Sequence, residues 1–318
     1  MTLSRDTPVA IVGAGLMGLA IGQVFAARGH DVTLYDLSNE VRDSALERAG
    51  TIFDLLEQDK DAGLAHLKLE GDLAKAVAGA GLVIEAGPER LSVKREIFLE
   101  LERLTDASVV LATNTSGIPI REIAAPLSQK FRVLGTHFWN PPYLVPLVEV
   151  VEAEATSPEL VSRTIDLLRS VGLRPVHLRA DIPGFIGNRM QHALKREAIA
   201  IVASGVCDAE TVDTVVKYGF GLRLPVLGPL EQSDLVGLEL TLAIHETLMP
   251  ALDVTPVAHP LLVQLVAEGK TGAKKGEGFR RWTPEEADAL QKRVNEYLVS
   301  AAKQRRLEEE TESPGRFG

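Results

Sequence analysis

A single cysteine, Cys207, stands in 318 residues, so no disulfide can close within the chain and no cysteine cluster can hold a metal. No metal site is expected. Aromatic residues are sparse, at 5%. No apolar run approaches the ~18 residues that suggest a membrane span. Met1-Thr2-Leu3-Ser4-Arg5-Asp6 lacks the apolar core of a signal peptide, which makes the cytoplasm the expected compartment. Basic residues fall short of acidic ones, 34 against 44, and a net charge of −10 argues against nucleic acid as the main partner. There is no repeat at solenoid spacing and no low-complexity tract. What is present, 45% hydrophobic and 25% charged residues, is an ordinary globular composition, long enough for two domains with cores of their own.

The most informative stretch lies near the start. Val9-Ala10-Ile11-Val12 is a short β-branched run that breaks into Gly13-Ala14-Gly15-Leu16-Met17-Gly18 and resumes as a helical pattern through Ile21, Val24 and Phe25. That is strand, tight turn, helix, with glycines at G-x-G-x-x-G spacing. The first glycine lets the chain turn, the second lets backbone N–H groups approach a pyrophosphate, and the third lets helix and strand pack closely. An anion there sits on the helix N-terminus, where unpaired N–H groups and the helix dipole favour negative charge. Asp36 closes the next strand, Asp31–Asp36, about 20 residues beyond the glycines, where a carboxylate would accept from ribose hydroxyls and repel a 2′-phosphate. Asp36 is either that ribose ligand or an acid capping its strand. Arg42, just beyond, is either a phosphate contact or a solvated arginine. The pattern favours NAD over NADP.

Further on, buried-strand patterns at 82–86, 108–113, 132–138, 147–151 and 174–178 alternate with helical patterns at 41–58, 92–103 and 158–171. Residues 60–69 read as a connector, Gly71-Asp72-Leu73 as a strand end, and 74–78 as a small helix. Alternation of this kind predicts an α/β fold, a doubly wound, mostly parallel Rossmann-type sheet. After Asp181 the patterns become helical: 185–204, 208–218, 227–248, 260–268 and 284–306. The expected organisation is a nucleotide-binding domain over 1–181 and a smaller all-α domain over 182–318, hinged at Ile182-Pro183-Gly184, with a frayed tail from Arg305.

A bound nicotinamide needs a group that takes or gives the hydroxyl proton, and histidine is the usual one. Of the seven histidines, His30, His66 and His177 read as surface or structural, and His192, His245 and His259 fall on the helical domain without a polar cluster around them. His137 ends a strand, precedes the stiff Asn140-Pro141-Pro142 loop, and is followed twelve residues later by Glu149 on the next strand. The two are either unrelated or a dyad in which Glu149 fixes the imidazole tautomer.

His137-Phe138-Trp139-Asn140-Pro141-Pro142 with Pro146-Leu147-Val148-Glu149-Val150 resembles the His-Phe-Phe-Asn-Pro and Leu-Val-Glu-Val block of the 3-hydroxyacyl-CoA dehydrogenase family. So do Asn114-Thr115-Ser116, Pro183-Gly184-Phe185-Ile186-Gly187-Asn188-Arg189, Glu85-Ala86 through Glu89 to Val93-Lys94, and Gly276-Glu277-Gly278-Phe279, in family order over roughly residues 9–280. The resemblance implies His137 as general base, Glu149 as its orienting acid, and Ser116 and Asn188 as hydrogen-bonding partners of the substrate oxygen. It places Glu89, Lys94, Asn140 and Lys274 on cofactor-contacting positions beside the glycine turn, Gly13 to Gly18, and Asp36. With the second domain expected to supply Asn188 across the cleft, domain closure would complete the site and exclude water. Each residue has a plainer reading: a salt-bridged helix start for Glu89 and Lys94, a loop-holding amide for Asn140, a turn-capping hydroxyl for Ser116, a helix-terminal hydrogen bonder for Asn188, a solvated lysine cluster for Lys274.

The chain departs from the acyl-CoA enzymes between Val41 and Gly71, where acids outnumber bases and the arm suits CoA phosphates poorly. Gly117 follows Ser116, and Trp139 and Pro142-Tyr143 also differ. These departures point to a small hydroxy acid or alcohol as substrate, with Arg121, Arg223 and Arg280 as candidates for a substrate carboxylate. The alternatives are a 3-hydroxyacyl-CoA thioester and a catalytically silent, crystallin-like dinucleotide-binding protein. The apolar faces of the helical domain lead to the expectation of a homodimer through it.

Overall fold

The computed structural model describes Leu3 and residues 6–311. The chain divides into two compact units, Met1–Gly187 with Tyr297–Gly318, and Asn188–Glu296. The end of the last helix therefore belongs with the sheet, whereas the sequence pattern places all of 182–318 in one domain. Its Leu298, Val299 and Ala302 pack with Leu56 and Leu144, an i, i+1, i+4 patch too small to stand out from a long charged helix.

Among the described residues the first unit is built on eight strands, β1 (Val9–Val12), β2 (Val32–Tyr35), β3 (Leu67–Glu70), β4 (Leu82–Glu85), β5 (Val110–Thr113), β6 (Val133–Phe138), β7 (Leu147–Val151) and β8 (Arg174–Leu178). Their order is β3-β2-β1-β4-β5-β6-β7-β8. All neighbours are parallel except β6 and β7. The central strands are buried on both faces, which explains their unbroken apolar runs. The edge strands show the compromise expected of edges: Leu67-Lys68-Leu69-Glu70 alternates, and β8 carries Pro175. β3 falls inside the segment that reads as a connector, because four residues of alternation beside a helix give almost no periodic signal.

Helices α1 (Leu16–Ala26), α2 (Asn39–Leu55), α3 (Lys60–Ala65), α4 (Leu73–Val77), α5 (Leu91–Leu104), α6 (Ile120–Ala124) and α7 (Pro158–Ser170) cover the sheet. Ile21, Phe25, Phe53, Leu167 and Leu168 fill one face. Phe98, Leu101, Ile120 and Ile123 fill the other. Side-chain caps start several helices: Ser38 for α2, Asp59 for α3 and Asp72 for α4 accept from first-turn N–H groups. Arg132, fully buried, lies at the C-terminal end of α5, where its two terminal guanidinium nitrogens donate to Glu102 O (3.1 Å), Asp106 O (2.7 Å) and Thr105 Oγ1 (2.8 Å), while its Nε has no partner among the described residues.

The chain switches direction between β1, which leads to α1, and β4, its other neighbour. In open α/β sheets such a switch point opens a crevice at the carboxyl ends of the strands.

The second unit comprises α8 (Gly187–Ala203) from Asn188 on, α9 (Ala209–Tyr218), α10 (Pro229–Val236), α11 (Leu238–Leu248), α12 (Pro260–Ala267) and the first half of α13 (Pro284–Thr311). The single helix expected over 227–248 is two, because Gly237 at φ +96° breaks it. α13 continues to Thr311, past the point where fraying is expected, and the rest of that tail lies outside the described residues. No residue between 188 and 296 is fully buried.

Candidate active site

The glycine turn follows β1. Gly13 has φ +106°, and a Cβ there would lie 2.9 Å from Ala86 O. A Cβ on Gly18 would lie 1.7 Å from Gly13 O, so helix and turn touch backbone to backbone. Gly15 is different. It is exposed, and an added Cβ would meet nothing within 4 Å. Its surroundings are open in front of α1, a helix with no side-chain cap and no acidic residue in its first turn. A phosphate-sized anion fits there on both geometric and electrostatic grounds.

Asp36 turns its carboxylate toward that turn, Oδ2 accepting from Ala14 N (3.0 Å) and Oδ1 from Ser38 N (2.9 Å). Each oxygen retains a lone pair for a ribose hydroxyl. Arg42 donates to Asp36 O and to Asn39 Oδ1, so its guanidinium is bound to its own loop.

On β6 and β7 the antiparallel register sets His137 directly opposite Glu149. That answers the question left by their spacing, since cross-strand partners share one face. His137 Nδ1 lies 2.7 Å from Glu149 Oε2, and both residues are buried. The second oxygen, Oε1, accepts from Ile186 N (2.8 Å) and Gly187 N (3.0 Å). Those N–H groups are aimed by an unusual backbone: Gly184 at φ +76° and Phe185 at φ +50°. A positive φ on a bulky residue is strained. Phe185 is fully buried with its ring 5.4 Å from the imidazole, and Trp139 flanks it at 5.8 Å. Burial pushes the Glu149 carboxyl up, but the His137 bond and the Gly187 and Ile186 N–H groups outweigh it and hold Glu149 below the ordinary carboxylate range. An ionised Glu149 requires the proton on Nδ1, which leaves Nε2 as the imidazole's acceptor.

The loop after β5 is tied to this dyad, since Asn114 Oδ1 accepts from Phe138 N at 2.9 Å. Ser116, exposed, donates its backbone N–H to Glu89 Oε1 (2.8 Å), and the Thr115 hydroxyl donates to the same oxygen (2.6 Å). Burial works against ionisation of Glu89, but the Thr115 hydroxyl, the Lys94 charge and the Ser116 N–H prevail and keep it below the ordinary range. Lys94 is buried, its ammonium 2.9 Å from both oxygens of Glu85 and 3.4 Å from Glu89.

The structure thus brings Gly13 to Gly18, Asp36, Glu89, Lys94, Ser116, His137 and Glu149 onto one unit, with exposed Asn140 in the loop after β6. Asn188 and exposed Lys274 belong to the helical unit. Arg121 is held by Asp181 at 2.7 Å, and Arg280 by Asp213 (3.4 Å) and Glu210 (3.7 Å). Sequence reasoning quotes Glu85 and Phe185 within motifs and assigns no role to them or to Thr113. An acid closing an all-apolar strand, with a lysine nine residues on, is the available sign of Glu85.

Residues 8–182 match the family model described as 3-hydroxyacyl-CoA dehydrogenase, NAD binding domain, and residues 184–282 match that described as 3-hydroxyacyl-CoA dehydrogenase, C-terminal domain. The chain belongs to the 3-hydroxyacyl-CoA dehydrogenase family. It is an NAD-dependent oxidoreductase of that family, and the open glycine turn and Asp36 are where its own residues fit the cofactor.

This family member is 36% identical over 300 residues to 5-formyl-3-hydroxy-2-methylpyridine 4-carboxylate 5-dehydrogenase of Mesorhizobium japonicum, covering 92% of this chain and 96% of the relative. It is 33% identical over 279 residues to 3-hydroxybutyryl-CoA dehydrogenase of Clostridioides difficile, covering 85% and 98%. Among solved structures, that of a 5-formyl-3-hydroxy-2-methylpyridine 4-carboxylic acid 5-dehydrogenase, described as an NAD+ dependent dismutase, superimposes with a TM-score of 0.86 at 36% identity over 93% of this chain and 97% of that one.

Proposed function

We propose that this dehydrogenase oxidises the hydroxyl of a small, free hydroxy acid or alcohol to the carbonyl, with His137 Nε2 as the proton acceptor and Glu149 as the acid that orients it. The observation that carries this reading is the 2.7 Å contact between His137 Nδ1 and Glu149 Oε2, with the other carboxylate oxygen anchored by two backbone N–H groups. NAD+ supplies the hydride acceptor when bound on the glycine turn. The chain's residues do the rest. Glu149 stabilises the imidazolium as His137 takes the hydroxyl proton. Ser116 and Asn188 are proposed to hydrogen-bond the substrate oxygen, and Asn140 and Lys274 to contact the cofactor.

The choice of a free acid over a thioester rests on the acidic arm, α2 and α3, and on likeness to the M. japonicum enzyme, whose name gives it a pyridine carboxylate. The test is a panel assay for NADH formation with free 3-hydroxy acids and with 3-hydroxybutyryl-CoA. Higher kcat/KM on a free acid supports the proposal. A strong preference for the thioester overturns it in favour of an acyl-CoA dehydrogenase.

Homodimerisation through the helical unit is the second part of the proposal. That unit buries no residue fully and leaves Leu238, Leu240 and Leu242 more than half exposed, which is unusual for a solvated surface. Light scattering should give twice the chain mass, and a monomer would refute it. We place the protein in the cytoplasm; no described helix is long and apolar enough to cross a membrane.

A further inference from the structure

Trp139 stands two residues past His137, just beyond the end of β6, where strand alternation returns it to the imidazole's side. The two rings lie 5.8 Å apart, inclined at 54°. Its other neighbour is backbone. A Cβ built on Gly187 would fall 2.3 Å from Cζ2 of the indole and 3.2 Å from Cε2 and Cη2, so the six-membered ring occupies the space that a side chain at 187 would need. The conformation of Gly187 does not call for glycine: its φ is not positive, and it opens α8, where alanine is the better helix former. What requires glycine there is the indole.

The same glycine donates to the dyad. Gly187 N reaches Glu149 Oε1 at 3.0 Å, beside Ile186 N at 2.8 Å, and Glu149 Oε2 lies 2.7 Å from His137 Nδ1. Imidazole, carboxylate, glycine backbone and indole thus form one closed circuit of contacts. For stability alone the indole is a poor choice. Trp139 Nε1 is shut off from solvent with no hydrogen-bond partner among the described residues, and a buried donor left unpaired carries a cost that a phenyl ring avoids. Phenylalanine is the residue at this position of the His-Phe-Phe-Asn-Pro block that the chain resembles. What tryptophan adds is a second ring, and that ring is the part lying on Gly187.

We propose that Trp139 is a positioning residue for the dehydrogenase reaction, acting through Gly187: the six-membered ring of its indole keeps the Gly187 N–H on Glu149 and so keeps the carboxylate against His137. This rests on the proposed function of the site. In this role Trp139 handles no proton; it fixes the acid that fixes the base. Tryptophan at 139 and glycine at 187 are then a single requirement, a large ring and the room for it.

The test uses the full-length protein and compares wild type, Gly187→Ala, Trp139→Phe and the double variant Trp139→Phe/Gly187→Ala. Two quantities are read: kcat on the best free hydroxy acid, and the NMR resonance of the His137 Nδ1 proton, which a short bond to a carboxylate moves downfield and which is assigned by its loss in His137→Gln. In Gly187→Ala the methyl and the indole compete for one space, and in Trp139→Phe the glycine loses its support. Each single variant should lose about tenfold in kcat, because the dyad is no longer held in register, and its Nδ1 resonance should move upfield or broaden. In the double variant the methyl takes the room that the smaller ring gives up. There kcat should return to within about threefold of wild type and the resonance to its place, a non-additivity that marks two residues in contact. The NAD+ dissociation constant should stay within about threefold of wild type throughout.

A double variant no better than the worse single one overturns the proposal, since ring and glycine would then act apart. Single variants that melt lower yet keep the wild-type resonance and kcat overturn it in favour of a packing role. A loss of NAD+ affinity matching the loss of kcat overturns it in favour of a cofactor contact. Should Gly187→Ala not fold, Trp139→Phe against the double variant decides on the same two readouts. Wild type that oxidises no hydroxy substrate refutes the proposed function instead, and the Nδ1 resonance, which needs no turnover, still decides whether Trp139 positions the dyad.

Discussion

Replacing Glu149 by glutamine changes one charge and almost no volume, and the structure says which hydrogen bonds survive. Oε1 accepts from Ile186 N and Gly187 N, while Oε2 accepts from His137. The amide cannot serve both sides as acceptor. With its oxygen toward the two backbone N–H groups, its NH2 donates to His137 Nδ1, which moves the ring proton to Nε2 and removes the base. With the amide turned round, two N–H groups face two N–H groups in a buried site, at a cost of about 1 to 3 kcal/mol each. The first arrangement is cheaper.

The fold should therefore survive, weakened by about 1 to 2 kcal/mol as charge-assisted bonds become neutral ones, a drop in Tm of roughly 2 to 8 °C. Catalysis should not survive. Loss of a correctly protonated general base is worth about 10² to 10⁴ in rate, or about 3 to 5.5 kcal/mol of barrier. The assay is steady-state NADH formation at saturating NAD+, with NAD+ affinity measured separately by fluorescence. A kcat within threefold of wild type, with NAD+ still bound, would refute the reasoning about the dyad.

Two glycines separate folding from cofactor binding. Gly15→Ala should leave Tm within about 2 °C of wild type, because the added methyl meets only open space, yet weaken NAD+ binding by about tenfold or more if, as proposed, the pyrophosphate approaches through that space. Gly18→Ala should lower both, as its methyl would fall 1.7 Å from Gly13 O; equal behaviour in calorimetry would contradict the geometry. Acid should destabilise the protein in a defined direction. Glu149, Glu89 and Glu102 are held below the ordinary carboxylate range in the fold. Their contribution is thus fully present above the unfolded value of about 4.3 and lost as pH falls through the lower native values. Tm measured from about pH 6 down to about pH 3 should decline, with a shallower slope in Glu149→Gln, and a flat profile would contradict the assignments.

The parts of this molecule that are legible in its sequence are those governed by local rules. The glycine turn, Asp36 and the strands β1, β4 and β5 announce themselves through spacing and continuous burial. β3 and α3 do not, because an edge strand of four residues and a helix of six leave little periodicity. Gly237 is visible but its φ is not, so two helices read as one.

At the site, His137 and Glu149 stand out as residue types, while their pairing depends on the β6–β7 register, a non-local fact. The anchoring of Glu149 is hidden further, since it comes from backbone N–H groups aimed by the positive φ of Phe185. The resemblance places Lys94 at a cofactor-contacting position, and what the sequence does not show is the pair of carboxylates, Glu85 and Glu89, that lie against its ammonium.

The measurement that bears most directly on the account is the turnover of His137→Gln at saturating NAD+, on whichever hydroxy substrate wild type oxidises best. The expected result is a fall in kcat of about 10² to 10⁴ with NAD+ affinity unchanged, because in the proposed mechanism the imidazole carries the proton and does not hold the cofactor. An unchanged kcat would contradict the account outright and move the proton transfer to another residue.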